Sequence, residues 1–511
     1  MPGPPSGSRT TQDTQDTDGE LSVGASRRLS LEQARSLALN NNLGLRRSAI
    51  ESEAAHFDAR SSWGSFDWVL DLRGSYTDSE TEGNTSLFGG DVVENQDARI
   101  DVDLTRPLTT GGSFVLHFDT QEQRTNNAFF NAPELFQDGL SATFSQPLLR
   151  GRGSDFATSN QREAEITEQR RREDLRGARQ LLLHDVEVAY WDLVAALQQL
   201  EVAESALKLG ENQVTREEAR IRAGDGTEVD VLQARTEVAT RTETLLQAQN
   251  DVAQRGDDLK AIVYADRSPE LWTRPLSPTT ELPLLTDSAE LPHWESAFQI
   301  ALDRRPELRT SRLDVDSSRV TLTRAQSERL YGLDLEISVR SGAVDENYAQ
   351  ALGDTVDFQF PQYQAILTYN MPLQNRTASN AERAARERLR GSQIALEEAE
   401  ITALADVRRA IREVRFREQA MLAASQSAAL ARAQLDAEQK RLDADLSTTF
   451  QVLEFQQTLI EALSNERSAA GEYAKSLVGL NLAQGLVGEL PPPGAYAGDS
   501  LLPESSPQPA R

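Results

Sequence analysis

From residue 155 to 222 no proline interrupts the chain, and Leu183, Val186, Tyr190, Leu193, Leu197 and Leu200 recur in alternating steps of three and four. That spacing is the apolar seam of a helix packed lengthwise on other helices. At 1.5 Å per residue, roughly 65 residues make a helix about 100 Å long. A second segment of the same character runs from about residue 379 to 443. The chain is therefore restricted to coiled-coil-like packing over much of its length.

Each long segment meets a corner and returns as a shorter helix, over about 227–264 and 447–485. The corners are "RAGDGTEVDVLQA" (222–234) and "DADLSTTFQVLEF" (443–455), each a break followed by Thr and a Val-Leu pair. Upstream, "LEQARSLALNNNLGLRRSA" (31–49) matches "WESAFQIALDRRPELRTSR" (294–312). Ala34, Ala38, Leu39, Leu45 and Arg46 correspond to Ala297, Ala301, Leu302, Leu308 and Arg309. Repetition on this scale is duplication of a whole structural unit.

Between the opening helix and the long helix of each half lies period-two alternation, the signature of a half-buried strand. "WVLDLRGSY" puts Trp68, Leu70, Leu72 and Tyr76 on one face, and "LDLEISV" does the same with Leu333, Leu335, Ile337 and Val339. "RIDVDLT", "SFVLHFD", "LSATFSQ" and "YQAILTYNM" are further candidates. Asp101, Asp103, His117, Asp119, Asp334 and Glu336 occupy their polar faces, which suits a water-filled lumen or the wet side of a sandwich. The strand regions leave by matching exits, "SQPLLRGRG" (145–153) and "NMPLQNRTA" (370–378).

The chain has 511 residues, no cysteine and a formal charge of -27. That charge argues against a nucleic-acid partner, which needs clustered Lys and Arg. No apolar run reaches the roughly 18 residues of a membrane-spanning helix. A transmembrane β-barrel stays open, because alternating strands barely register in hydropathy. Neither G-x-S-x-G, Walker A nor H-E-x-x-H occurs, and His56, His117, His184 and His293 lack ligand spacing. No enzyme, cofactor or metal site is expected. The start, "MPGPPSGSRTTQDTQDTDGE", does not read as a secretory signal. The expected layout is 1–28 disordered or processed, 29–265 first repeat, 266–292 Pro-rich connector, 293–487 second repeat and 488–511 disordered tail.

Helix, strands, long helix, corner and returning helix, given twice, resemble the TolC-like outer membrane factor family. The corners, the "PLLRG" and "PLQNR" exits and the "ALDRRPEL" opening carry the resemblance over residues 29 to 487. It implies an α+β fold built by internal duplication, in which a trimeric outer-membrane β-barrel continues into a long periplasmic α-helical coiled-coil barrel. The implied function is the exit duct of a tripartite efflux pump or type I secretion system. The implied partners are two further copies in a homotrimer, a periplasmic adaptor (membrane fusion) protein, an inner-membrane transporter and outer-membrane lipid. The rival is a soluble coiled-coil scaffold, which explains the long helices but not the paired strand blocks.

By the same resemblance, Asp230 in "EVDVLQ" and Glu454 in "QVLEF" match acids of the tip constriction, and Gln451 stands where the best-known member has another Asp. Leu442 and Ser447 replace a Tyr and an Arg that help latch that mouth. Gly224, Asp225, Gly226 and Asp445 form the tip turns for adaptor docking. Asp230 and Glu454 read equally well as acids placed at helix starts by the macrodipole. In one departure from the family, "RIDVDLTRPLTTGGSFVLHFD" reads as an added hairpin with a Gly-Gly turn, giving six strands per protomer. Longer polar loops are expected at 78–95 and 122–137, with Trp63, Phe66 and Trp68 suited to a membrane-interface girdle.

Overall fold

The computed structural model describes residues 27–82, 92–127, 132–224, 227–282, 291–444 and 446–487. The terminal stretches 1–26 and 488–511, expected to be processed or disordered, lie outside the described residues. In chain order the first half gives β1 (Arg27–Leu29), α1 (Leu31–Asn41), α2 (Leu43–Ser62), a 3-10 turn (Trp63–Phe66), β2 (Val69–Glu82), β3 (Val92–Pro107), β4 (Ser113–Thr125) and β5 (Glu134–Pro147). It continues with α3 (Ser154–Ala157), α4 (Ser159–Ala223), α5 (Glu228–Val263), α6 (Pro269–Thr273) and β6 (Leu276–Pro278). The second half gives α7 (Trp294–Arg304), α8 (Pro306–Glu328), β7 (Gly332–Asp345), α9 (Tyr348–Val356), β8 (Pro361–Asn370), α10 (Arg376–Asp443) and α11 (Thr449–Gln484). No described helix is long and apolar enough to cross a membrane. The chain divides into two compact units, each drawing on both halves of the sequence.

One unit, Gly44–Gln180 with Pro292–Arg409 and Asn481–Arg511, contains a six-stranded antiparallel sheet in the order β2-β3-β4-β5-β7-β8. The hairpin β3–β4 is a full member of it: Leu104 pairs with Leu70 on one side and Leu116 on the other. Its turn depends on glycine. Gly111 has φ of +90°, and a Cβ there would lie 2.2 Å from the Gly151 carbonyl oxygen. The uninterrupted register puts Leu72, Val102, Phe118 and Leu140 in one row of the apolar face, with Leu70, Leu104, Leu116, Ala142, Val339 and Tyr363 in the next. Residues one step away, Asp71, Asp103, His117, Ser141, Arg340 and Gln362, share a polar row on the other face, as a period of two requires.

The strands run further than their apolar cores suggest. β2 continues to Glu82, β3 begins at Val92, β4 ends at Thr125 and β5 begins at Glu134, so residues 78–82, 92–95, 122–125 and 134–137 of the expected loops are strand, while 83–91 and 128–131 lie outside the described residues. Inter-strand backbone bonding carries pairing past the point where apolar alternation stops. Helix α9, in the β7–β8 connection, packs on β5 and β7. It buries Ala351 and Thr355 and sets the Tyr348 ring 5.7 Å from that of Phe136. The outer strands β2 and β8 are exposed almost throughout.

The other unit, Met1–Leu43 with Leu181–Leu291 and Ala410–Leu480, is helical apart from a two-stranded strap. In its part of α10 the buried residues Val414, Met421, Ala428, Leu435 and Leu442 fall every seventh position. A strict seven-residue apolar repeat keeps one seam facing a neighbouring helix. Exposed turns carry pairs such as Glu413–Arg417 (2.7 Å) and Asp436–Lys440 (2.6 Å), which support the helix modestly. Lys475 of α11 reaches Asp192 of α4 at 2.8 Å. Burial opposes its charge, but hydrogen bonds to Asp192 and Glu472 outweigh that and hold its pKa above the usual lysine value.

The strap differs from expectation. Residues 266–292 are not wholly irregular: they contain α6 and β6, and β6 pairs in parallel with β1. Arg27 and Arg28, assigned by sequence to a disordered or processed segment, are therefore strand residues. Tyr190 of α4 holds both strands. Its hydroxyl donates to the Leu29 carbonyl (3.1 Å) and accepts the backbone N–H groups of Thr279 (3.2 Å) and Thr280 (3.0 Å).

Candidate channel mouth

The corners sit where two helical hairpins, α4–α5 and α10–α11, turn back. At the first, Gly224 with φ of +89° ends α4, a backbone conformation that glycine adopts without a Cβ penalty. Asp225 and Gly226 lie outside the described residues. Thr227 then caps α5. Its hydroxyl accepts from the Asp230 N–H, while the Asp230 carboxylate accepts from the Thr227 N–H (3.2 Å) and hydroxyl (2.6 Å). Asp230 is thus the reciprocal member of a capping box, the helix-start role that sequence alone allowed. Thr227→Ala should cost about 1 kcal/mol, read as faster amide exchange confined to the first turn of α5.

At the second corner Asp445 lies outside the described residues. The Leu446 N–H bonds the Arg441 carbonyl (2.8 Å), and the Thr448 hydroxyl accepts from the Gln451 N–H (3.4 Å). Thr448 and Gln451 therefore repeat the spacing of Thr227 and Asp230. By the internal duplication, Gln451 is the counterpart of Asp230. Glu454 is one turn further along α11 and exposed.

The two altered latch positions behave differently. Leu442 is buried in the α10–α11 core with Leu435, Val452 and Leu459. A residue packed there is a core side chain rather than a latch. The Ser447 hydroxyl bonds the Glu438 carboxylate and meets the Gln451 side chain at 2.9 Å. A hydroxyl has one proton, so with Glu438 as acceptor the Gln451 amide must turn its N–H toward Ser447. Arg441 closes the group by pairing with Glu438 at 3.3 Å.

Sequence reasoning missed a buried polar cluster behind the tips. Glu217 of α4, 0% exposed, accepts from Thr449 (3.0 Å) and Gln213 (2.6 Å), with Arg220 at 3.5 Å. One signal was available: Glu217 follows Ala196, Ala203 and Gly210 at seven-residue spacing, all on the buried seam. Arg241 of α5 forms a second cluster, bonding the Ala206 carbonyl of α4 (2.9 Å) and the buried Gln456 of α11 (3.2 Å). Such contacts register one hairpin against the other, since a shifted register would leave buried polar groups unpaired.

A six-stranded sheet with one apolar and one polar face, carried by a chain with two long helical hairpins, is the make-up of an outer-membrane channel subunit. The chain belongs to the outer membrane efflux protein family, whose sequence pattern matches residues 113–263 and 297–486. This is a family of channels rather than enzymes. The fold is similar to the outer-membrane channel OprN (TM-score 0.66, 17% identity, covering 89% of each chain). It is also similar to CusC (0.65, 16%, covering 89% of this chain and 92% of that one). CmeC of Campylobacter jejuni is a third such channel (0.64, 15%, covering 89% and 85%). At these identities the likeness is one of fold. No curated protein sequence matches the chain.

Proposed function

We propose that three copies of this chain join sheet to sheet into one outer-membrane barrel. Their helical hairpins then continue the conduit through the periplasm as the exit duct of a tripartite efflux pump or type I secretion system. The observation that carries this reading is the sheet with two open edges. Leu70 and Leu72 on β2 and Tyr363 and Leu367 on β8 are 66%, 73%, 75% and 63% exposed. A soluble scaffold with such edges would invite aggregation. Closure into a barrel removes the edges, and lipid covers the apolar face. Because six strands alternate in direction, β8 of one copy runs antiparallel to β2 of the next, so three copies supply eighteen strands.

In this reading an inner-membrane transporter and a periplasmic adaptor deliver cargo, and the adaptor docks on the tip turns around Gly224, Asp225, Gly226 and Asp445. Asp230, Gln451 and Glu454 border the mouth, where carboxylates favour cations. Planar-bilayer recording tests both the channel and the mouth. Asp230→Asn keeps an acceptor oxygen for the cap while removing the charge. Combined with Glu454→Gln, it should lower cation preference at low salt. The effect should shrink at 1 M salt, where the screening length is about 3 Å. Assembled trimers with unchanged selectivity would leave both acids as helix-start residues only, and a wild type that never conducts would contradict the channel.

A further inference from the structure

On the polar face of the sheet, His117 of β4 lies between two carboxylates. Its Nδ1 is 2.6 Å from Asp103 Oδ1 on β3, and its Nε2 is 3.3 Å from Asp119 Oδ1. A neutral imidazole has one N–H and can donate to only one of them, whereas the imidazolium donates to both. Each of the other three histidines meets a single carboxylate among the described residues: Glu168, Asp185 and Glu295.

The surroundings are built to hold charge. Arg99 bonds Asp101 at 2.8 Å and approaches Asp119 at 3.9 Å, and Arg340 of β7 approaches Asp119 at 3.7 Å. That last contact spans β5, which is bare at this point. A Cβ on Gly139 would lie 2.4 Å from Asp119 Oδ1 and 3.1 Å from Arg340 Nη2. On the far side, β2 sets Asp71 opposite Asp103 and Arg73 opposite Asp101. β5 offers only Ser141 and Gly139 in these rows. Four carboxylates (Asp71, Asp101, Asp103, Asp119) thus face three guanidinium groups (Arg73, Arg99, Arg340), with His117 the remaining titratable group on this face. Asp138 of β5, buried on the opposite face next to Gly139, is a further carboxylate close enough to act on Asp119. The patch is neutral with an imidazolium and carries one negative charge per copy with a neutral ring. Asp71, Arg73, Arg99, Asp101 and Asp103 lie outside the residues matched to the family, which begin at Ser113.

We propose that this patch is a second ion-selecting element of the conduit, placed in the β-barrel, and that protonation of His117 sets its charge. The inference rests on the channel reading above. Imidazole changes charge between about pH 5 and 8. Wild-type trimers in a planar bilayer under a KCl gradient should therefore prefer cations at pH 8 and lose much of that preference at pH 5. His117→Gln should abolish the change and stay cation-preferring at both pH values. Asp103→Asn, which keeps the shape and removes one carboxylate, should shift selectivity toward anions at both pH values while keeping the pH step. The tip double variant should keep the step as well. A conducting wild type with pH-independent selectivity overturns this proposal and leaves the channel standing, as does a His117→Gln variant that retains the full step. A wild type that does not conduct overturns both.

Discussion

Phe118→Arg should nearly abolish assembly, while Thr143→Arg, on the neighbouring strand but the opposite face, should be tolerated. Phe118 shares its row with Val102 and Leu140, and Thr143 lies on the opposite face, between Val115 and Ser338. If lipid covers the apolar face, an arginine near the bilayer midplane costs about 2–4 kcal/mol per copy. Each 1.4 kcal/mol is a factor of about ten, and the cost is incurred three times in a trimer. Detergent-extracted trimer should fall by at least about tenfold for Phe118→Arg. It should stay within about twofold of wild type for Thr143→Arg, whose side chain meets water. Equal losses would mean that the two faces do not meet lipid and water respectively.

Tyr190→Ala is expected to be the most destabilising single change in the helical unit. The ring is 0% exposed, and its hydroxyl serves three backbone groups, one on β1 and two on Thr279 and Thr280 just past the end of β6. Removing a buried aromatic side chain costs about 3–5 kcal/mol. Tyr190→Phe separates packing from polarity. It keeps the ring but takes the acceptor from Thr279 and Thr280, for about 1–3 kcal/mol if those N–H groups stay dry. Denaturant unfolding should rank wild type, Phe and Ala in that order, and the Thr279 and Thr280 amides should exchange faster in the Phe variant. A Phe variant with wild-type stability and protection would mean that water replaces the hydroxyl at no cost.

The parts of this fold written as local periodicity were legible in the sequence. Alternation located all six sheet strands, including β3 and β4 flanking Gly111, and uninterrupted three-and-four spacing located the long helices. What depends on a distant partner was not legible. β6 is a three-residue strand in a Pro-rich stretch, defined by pairing with Arg27–Leu29 far upstream. Helix α9 is short and draws its place from the sheet it covers. At the tips, position was easier to read than role. Asp230 was found, but its engagement with Thr227 needed coordinates. Ser447 finds Glu438 nine residues back across the turn, a pairing no local pattern exposes. Leu442 was open to a better reading, because its seven-residue spacing from Leu435 marks it as core.

The proposed closure of copies of one six-stranded sheet into a single barrel has a direct test. Cryo-electron microscopy of the detergent-extracted protein tests it by counting strands in the barrel cross-section. A threefold particle with eighteen antiparallel strands is expected, with β8 of each copy paired with β2 of the next and the Leu72, Val102, Phe118 and Leu140 row facing the detergent belt. A monomer with an open sheet, or a trimer whose barrel excludes β3 and β4, would contradict it.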